Sequence, residues 1–558
     1  MLNRFCAHPL WEVNDTLAKV AQGQQAAETV IRHARLVSVT TREVLEDTDI
    51  AIARGRVAYI GICGHTAEHC IGPETTVVDA TGLYAAPGLF DTHVHIESSM
   101  VGPAEYARAV VPHGTVGIYA DPHEVANVCG LEGVRAMWED AARTPLKTML
   151  TTPSCVPAVL GVEDTGSSID ASQVAESMRW DSVVALGEMM NFPGILSCEQ
   201  NALNEVRETL KADRVVTGHY VAADDDRGLS AYIAAGVTSC HESGSFTDVI
   251  SKLRMGMYVQ LRQGSAWLNL PGYLPELVAS GVDTSHCLLC TDDSHPHTLV
   301  DDGHMDRVLR EAVRLGLDPV TALQMATINA AQYFGVGRDM GSITPGKCAD
   351  IVLLRDLERF EAKAVYIDGT LAAEDGKATF ATKPFTWPAF MTHTMNLGVD
   401  ITPRAFEIPV NHKDGSIWVR AIGINAGDTL TRDSTVKTIV RDGKIQADPT
   451  HDVLKACVFD RHHGTDGTHS FGFVTGFGIH GALAQTVSHD AHNLLVMGDN
   501  DADMALAART LAECGGGEVA VADGKVLALV ELPVCGLMSD RRIEEVAEKV
   551  AGIEAAWA

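Results

Sequence analysis

The sequence is poor in basic residues and contains no long uninterrupted hydrophobic run. Lysine and arginine number 43 against 73 aspartates and glutamates, so the formal net charge over 558 residues is −30. This charge disfavours nucleic acid and anionic membrane surfaces as partners. No apolar run reaches the length of a membrane span, and the first residues lack the apolar core and cleavage site of a signal peptide. We therefore predict a cytoplasmic protein that binds neither nucleic acid nor membrane.

Cysteine pairing is not indicated either. The 13 cysteines are scattered and odd in number, which favours reduced thiols over a disulfide framework. The one CxxC motif, from Cys287 to Cys290, falls in a predicted strand, where the two sulfurs point to opposite faces. We therefore expect no redox or zinc role for this motif.

The pattern of apolar runs divides the chain into four parts. Residues 1–27 form a predicted N-terminal helical extension, and residues 28–86 with 341–385 a small β-sandwich domain built from both flanking segments. Between residues 87 and 340, short apolar strands alternate with helical stretches, which is typical of βα units and a parallel sheet. Eight such strands close a (β/α)8 TIM-like barrel, so the predicted fold class is α/β. Residues 386–558 are predicted to form a C-terminal α+β domain.

Polar side chains mark the ends of the predicted barrel strands. These strands are predicted to end at His95, Asp121, Pro153, Glu188, His219, His241, Arg262 and Asp292. His93 and His95 alternate along one strand, so both imidazoles point to the same face. The active site of such a barrel lies at the carboxyl ends of its strands. The side chains expected to converge there are His93, His95, Glu188, His219, His241 and Asp292.

This cluster predicts a metal site. So many buried polar groups would be costly without a ligand, and imidazole nitrogens with carboxylate oxygens suit divalent metals. Six ligands exceed the needs of one tetrahedral ion, so we expect two ions. A carboxylate such as Glu188 can bridge two ions with its two oxygens.

Several motifs taken together resemble the bacterial adenine deaminases of the amidohydrolase superfamily. They are DTHVHIESS, ADPHEVANV, ALGEMMNFPG, GHY, CHES, RQGS and TDD in the barrel region, with FGFVTGFGIHGALAQTVSHDAHN and GDNDADM near the C-terminus. ALGEMMNFPG, DPHE and SHDAHN are the more specific of these, whereas HxH alone indicates only the superfamily. The resemblance covers nearly the whole chain. It implies hydrolytic deamination of adenine to hypoxanthine and ammonia in purine salvage, by a metal-activated hydroxide in a binuclear centre.

The resemblance also implies roles for the predicted ligands. His93 and His95 match the strand-one ligands of one metal, and His219 and His241 match the ligands from strands five and six. Glu188 falls where relatives often carry a carboxylated lysine, and it is expected to bridge the ions. The resemblance favours Mn²⁺ or Fe²⁺ as the two ions, with Zn²⁺ as the alternative.

The reaction needs both a base and an acid. Asp292 matches the strand-eight aspartate, which ligates metal and takes a proton from the nucleophilic water. The candidates for the acid that protonates the purine ring are Glu97, Asp121, Glu124 and Asp293. Of these we favour Asp121 or Glu124. The candidate substrate contacts are Glu97, Ser98, Asp293, His489 and Asp490. The last two contribute only if their C-terminal segment reaches the barrel mouth, which the sequence leaves open.

Two departures from the family pattern leave the substrate open. Ser294 stands where the usual TDDRHP motif has arginine, and Gln263 stands where a glutamate is expected. The first alternative is therefore another amidohydrolase acting on a related aminopurine or cyclic amide, and the second is a non-catalytic metal-binding relative. A cytidine-type zinc deaminase is rejected, because no P-C-x-x-C accompanies His95-Ile96-Glu97. We expect adenine as the small-molecule partner and a homo-oligomer, dimer or higher.

Overall fold

The structure is a computed structural model, which describes residues 5–222, 226–425, 431–465, 467 and 469–557. Within these ranges a βα barrel occupies the middle of the chain. One large sheet is built from the segments on either side of the barrel, and another lies near the C-terminus. None of the described helices is long and apolar enough to cross a membrane.

The segments before and after the barrel pair in one sheet. Helix Leu10–Ala21 precedes it. In the described part of the chain its nine strands are Thr29–Ser38, Glu43–Ala53, Arg56–Gly61, Thr76–Asp79, Tyr84–Pro87, Ile351–Leu354, Ala362–Ile367, Thr370–Glu374 and Lys377–Ala378. Ile351 lies opposite Pro87, where the two segments run antiparallel. Because Ile31, Ile50 and Ile351 belong to one buried cluster, the two flanks share a core, as expected.

One cysteine pair departs from the prediction of reduced thiols. Cys6, ahead of the first helix, forms a disulfide with Cys348, which precedes the returning strands. The other eleven cysteines are free. The two bonded residues are 342 positions apart, so their approach depends on the tertiary fold and leaves no signal in the spacing. The prediction is therefore wrong for this pair.

Eight parallel strands form the barrel within the described ranges. They are Leu89–His95, Thr115–Ala120, Lys147–Thr152, Val183–Met189, Val215–Gly218, Ser239–Cys240, Tyr258–Arg262 and Cys287–Cys290. Asp292–Asp293 continue the eighth strand and pair with Val94 and His95 of the first. A bridge between Val216 and Val237 joins the fifth strand to the sixth and closes the ring. The predicted strand ends are confirmed to within two residues.

The barrel strands are buried because helices cover the outside of the ring. All seven residues of Leu89–His95 are buried, as is typical of parallel strands covered on both faces. The helices of the barrel region are Pro103–Val110, His123–Ala141, Ala171–Ser177, Phe192–Leu196, Gln200–Lys211, Asp226–Ala234, Phe246–Arg254, Leu270–Ser280, Pro296–Asp301, Met305–Arg314, Pro319–Met325 and Ile328–Tyr333.

Two short helices, Pro319–Met325 and Ile328–Tyr333, follow Asp318 in place of one continuous helix. Asp318 caps the first of them by accepting a backbone N–H of its first turn. At the break, the Ala326 carbonyl accepts the Phe90 N–H of the first barrel strand at 2.7 Å. This bond to the strand accompanies the interruption of the helix.

The C-terminal region contains a sheet of ten strands, counted over its described residues. They are Ile408–Pro409, Gly415–Gly423, Arg432–Arg441, Lys444–Gln446, Leu454–Phe459, His469–Thr475, Ala482–Gln485, Leu494–Gly498, Gly517–Ala522 and Lys525–Glu531. Helix Asp501–Cys514 is capped by Asn500 and followed by Gly515 at a φ of 90°. The last helix, Ile543–Trp557, contacts helix Pro296–Asp301 of the barrel. The region is thereby attached to the rim that carries the strand-eight loop.

Candidate metal centre

The first barrel strand directs two imidazoles into the barrel mouth. His93 and His95 flank Val94 on the fully buried strand, and their ring centroids lie 4.7 Å apart. The His95 Nδ1–H donates to the Asp121 carbonyl at 2.8 Å, which directs its Nε2 towards the centre. Among the described residues, the buried His93 Nε2 has no hydrogen-bond partner. Both side chains therefore present a ring nitrogen suited to a metal.

Glu188, from the fourth strand, lies between two groups of histidines. Its Oε1 is 3.4 Å from His95 Nε2 and 3.4 Å from His123 Nε2. Its Oε2 is 2.5 Å from His219 Nδ1 and 3.2 Å from His241 Nε2. The two oxygens therefore face different groups of donors, which is what a carboxylate that bridges two ions needs.

Asp292 stands opposite the strand-one histidines, and Arg262 holds it there. Its Oδ1 lies 3.1 Å from His95 Nε2 and 3.7 Å from His93 Nε2. Its Oδ2 accepts a 2.6 Å hydrogen bond from Arg262 Nη1, and the same guanidinium donates to Glu242 through Nη2 at 3.2 Å. Burial alone would raise the pKa of Asp292. The neighbouring imidazoles, of which His95 has the largest effect, instead hold this pKa well below its usual range. One oxygen is thus fixed while the other faces the centre.

Sequence reasoning left three members of this cluster out of the predicted site. Arg262 is the last residue of strand seven, and Glu242 directly follows His241, so both occupy positions at strand ends. His123 has a structural and a catalytic interpretation from sequence. The structure brings its ring to 4.5 Å from that of His95. His123 is therefore part of the cluster.

The charges in the cluster favour an anionic Glu188 beside a neutral His93. Burial, together with His241 and His95, lowers the pKa of His93 well below its ordinary value. Burial alone would raise the pKa of Glu188, but His219 and His241 outweigh it and hold that pKa well below its usual range. A neutral imidazole and an ionised carboxylate are the forms that bind metal.

The donor set fits divalent metal ions. Imidazole nitrogens and carboxylate oxygens together suit ions such as zinc, iron and manganese. The unpartnered His93 Nε2 is a buried donor that no described protein group satisfies. Groups whose ligand atoms lie within 4.8 Å of one another include His93 with His95 and Glu188, His93 with His241 and Asp292, His95 with His123 and Glu124, and His123 with Cys155 and Glu188.

Three of the predicted acids lie behind the centre. The Asp121 Oδ2 accepts the Glu188 N–H at 2.8 Å, and burial with the nearby Glu188 raises the pKa of Asp121 to about 8. Glu97 Oε1 accepts the Val125 N–H at 3.2 Å. Burial and the adjacent Glu97 raise the pKa of Glu124 well above its ordinary value. In the described part of the chain, none of these three carboxyl groups lines the cavity over the centre.

Ser98 connects Glu124 to the cavity wall. Its Oγ–H donates to Asp293 Oδ1 at 2.5 Å and lies 3.5 Å from Glu124 Oε1. Asp293 itself lines the cavity. Glu124 Oε1 also lies 3.9 Å from the Nδ1 of His489. A buried acid is therefore close to two groups that face the cavity.

A loop of the C-terminal region reaches the barrel mouth. His489 and Asp490 line the same cavity as Glu188. Further along the loop, Asn493 Nδ2 donates to the carbonyl of Asp164, in the loop after strand three, at 2.8 Å. The sequence leaves open whether the segment with His489 and Asp490 reaches the barrel mouth. In the structure, this segment lies next to the candidate metal centre.

A histidine and carboxylate centre at the carboxyl ends of eight parallel strands defines the class of metal-dependent βα-barrel hydrolases. Comparison with known families agrees, since residues 84–372 match the amidohydrolase family and residues 428–558 match the adenine deaminase C-terminal domain. The chain belongs to the adenine deaminase family of amidohydrolases.

Two adenine deaminases are similar over nearly the whole chain, and a solved structure is similar over part of it. Among solved structures, E. coli guanine deaminase is 16% identical with a TM-score of 0.46, covering 62% of this chain and 99% of that one. An adenine deaminase of Clostridium botulinum is 53% identical over 558 residues, which are 100% of this chain and 92% of the relative. An adenine deaminase of Moorella thermoacetica is 46% identical, covering 98% and 91%. The two adenine deaminases confirm the family that the motifs predict.

Proposed function

We propose that this chain hydrolyses adenine to hypoxanthine and ammonia. Family membership and the names of the relatives support the substrate. The main support for a hydrolytic reaction is the position of Glu188 between the strand-one histidines and His219. Asp292 lies opposite the strand-one histidines. Hydrolytic loss of an amine needs activated water next to a basic carboxylate. This arrangement provides a site for both.

Two divalent ions fit the six predicted ligands. A divalent ion bound here lowers the pKa of its water from 15.7 towards about 7. By family resemblance we propose manganese or iron(II), with zinc as the alternative. His93, His95 and Asp292 would hold one ion, His219 and His241 would hold the other, and Glu188 would contribute to both.

Asp292 is the proposed base. Arg262 fixes its Oδ2, and the Oδ1 that faces the centre would take a proton from the attacking water. The remaining hydroxyl joins C6 of adenine while N1 gains a proton. The amine then leaves with the hydroxyl proton as ammonia, and C6 becomes the carbonyl of hypoxanthine. One water is consumed for each ammonia released; Asp292 then loses its extra proton to solvent and Glu124 regains one from solvent, which restores both groups.

Glu124 is the proposed source of the proton for N1. Its carboxyl group lies beside Ser98 Oγ, whose hydroxyl donates to Asp293 at the cavity wall. A proton from the buried acid therefore has a short path of hydroxyl and carboxylate oxygens to the substrate. Asp293 is the member of this path that contacts the substrate.

The remaining candidates take supporting positions. Asp121 accepts the Glu188 N–H, so we assign it to holding that ligand in place. Glu97 is buried against the backbone of helix His123–Ala141, and we assign it to the same supporting layer. His489 and Asp490 line the cavity and are proposed substrate contacts.

Metal reconstitution tests the proposal. The metal-stripped full chain is titrated with manganese, iron(II) or zinc, while adenine loss is followed by ultraviolet absorbance and ammonia is assayed. Activity that reaches a plateau at two equivalents supports the reaction and the binuclear centre. A plateau at one equivalent would support the reaction but would show that Glu188 does not bridge two ions. Tight metal binding without turnover of adenine would refute adenine as the substrate. A panel of other aminopurines and cyclic amides would then be assayed.

A further inference from the structure

The cavity over the metal centre has one aromatic wall. Trp267, in the turn after barrel strand seven, lines it together with Glu188 and Asp292. Apart from imidazoles, no other aromatic ring lines this cavity among the described residues. Its half-buried indole is a flat apolar surface beside a group of charged side chains. None of the proposed catalytic steps uses it.

The turn that carries Trp267 is held against the loop after strand eight. The Gly264 N–H donates to the Trp267 carbonyl at 3.0 Å, and the Ser265 N–H donates to the Asp293 carbonyl at 2.8 Å. The Ser265 Oγ accepts the His295 N–H at 2.8 Å. Gly264 permits this close approach, because a Cβ there would lie 2.8 Å from the Asp293 carbonyl oxygen. A turn ordered before binding loses little freedom when a ligand stacks on its side chain.

Met190 lines the same cavity from another direction. It directly follows strand four, and its N–H donates to the Glu188 carbonyl at 2.9 Å. Strands four and seven stand three places apart in the closed ring of eight, so Met190 and Trp267 approach the cavity from different sides. Thioethers and indoles both make favourable contacts with aromatic rings.

We propose that Trp267 and Met190 form a slot that selects flat heteroaromatic rings, an inference that rests on the proposed function because it concerns the same cavity. A planar base that enters between them has apolar side chains at its faces and its amine-bearing edge towards Glu188 and Asp292. A saturated ring is puckered and stacks poorly on the indole. The charged groups of the cavity recognise polar edges and do not detect planarity.

Kinetics of Trp267 variants test the slot. Trp267→Ala and Trp267→Phe are compared with Leu268→Ala, a matched control because Leu268 is 53% exposed and does not line the cavity. We expect Trp267→Ala to raise the adenine KM and the hypoxanthine inhibition constant about tenfold, and Trp267→Phe to raise them about threefold at most. The control should match the wild type. Values for Trp267→Ala within about twofold of the wild type would overturn the proposal.

Direct binding separates the slot from the proposed function. Quenching of tryptophan fluorescence is titrated with hypoxanthine, adenine and the non-aromatic dihydrouracil, in the metal-loaded wild type and Trp267→Phe. The slot is supported if hypoxanthine and adenine quench the fluorescence, dihydrouracil does not, and the quenching is lost in Trp267→Phe. If adenine is bound in this way but not turned over, only the assignment of adenine as the substrate fails. Normal turnover with quenching that does not depend on Trp267 overturns the slot and leaves the function. If the alanine variant does not fold, the phenylalanine variant and this titration decide.

Discussion

Arg461 provides a quantitative test of how the C-terminal region holds its loop at the barrel mouth. The side chain is fully buried, and burial lowers the pKa of its guanidinium to about 10, so it remains charged at neutral pH. Its Nε donates to the His492 carbonyl at 2.5 Å, its Nη1 to the Thr394 carbonyl at 3.1 Å and its Nη2 to the Cys535 carbonyl at 2.8 Å. One side chain thus joins three segments, and one of them carries His489.

Replacing Arg461 by Met removes these donors at similar volume. The carbonyls of His492 and Cys535 then lose a buried donor, which costs about 1–3 kcal/mol each. Relief of the buried charge offsets part of this cost. We expect a net loss of about 2–4 kcal/mol in the free energy of unfolding. Because the loosened loop also carries His489, kcat/KM for adenine should fall at least about tenfold.

Urea denaturation and steady-state kinetics well below the unfolding temperature measure the two effects. Arg420→Met is the control, because Arg420 lies in the same region, its side chain is 83% exposed, and its pair with Asp433 contributes about 1 kcal/mol at most. Arg461→Lys should recover part of the stability, since it keeps the charge but has fewer directed donors. If Arg461→Met equals Arg420→Met in both stability and kcat/KM, Arg461 does not hold the loop at the barrel mouth.

Three further changes have defined outcomes. Asp292→Asn should lower kcat about 10²–10⁴-fold. The control Asp301→Asn, at an exposed helix end, should leave kcat unchanged. A normal kcat in Asp292→Asn would show that Asp292 is not the base. Burial raises the pKa of Glu205 from 4.5 to about 8, so the folded state holds this proton more tightly than the unfolded state. The free energy of unfolding should therefore fall as the pH rises through that interval, and Glu205→Gln should flatten the slope in denaturation curves recorded from pH 5 to 9; an unchanged slope would contradict this. Replacing Cys6 and Cys348 by serine should lower the free energy of unfolding by about 2–5 kcal/mol, and a reductant should destabilise the wild type but not this double variant.

The strand ends are the part of the site that the sequence predicts best. Side chains alternate along strands, and barrel sites lie at the carboxyl ends, so spacing alone identifies His93 and His95 as neighbours on one face. In the structure, both imidazoles lie within 4 Å of Glu188. His123 escapes this rule because it begins a helix and does not end a strand.

The departures from the family pattern lie away from the cavity. Gln263 and Ser294 are both buried, and neither lines the described cavity. The Gln263 carbonyl accepts a hydrogen bond from Arg307, and both residues line a separate cavity.

Local order along the chain determined that the two strand-one imidazoles share a face and that most of the eight barrel strands are followed or ended by a polar residue. These features depend only on the alternation of side chains and on the apolar pattern. Only the tertiary structure decided that Arg262 binds Asp292, that His489 enters the barrel mouth, and that Cys6 meets Cys348 across 342 residues. Such contacts depend on how whole elements pack against one another, and the spacing of residues within one element does not encode that packing.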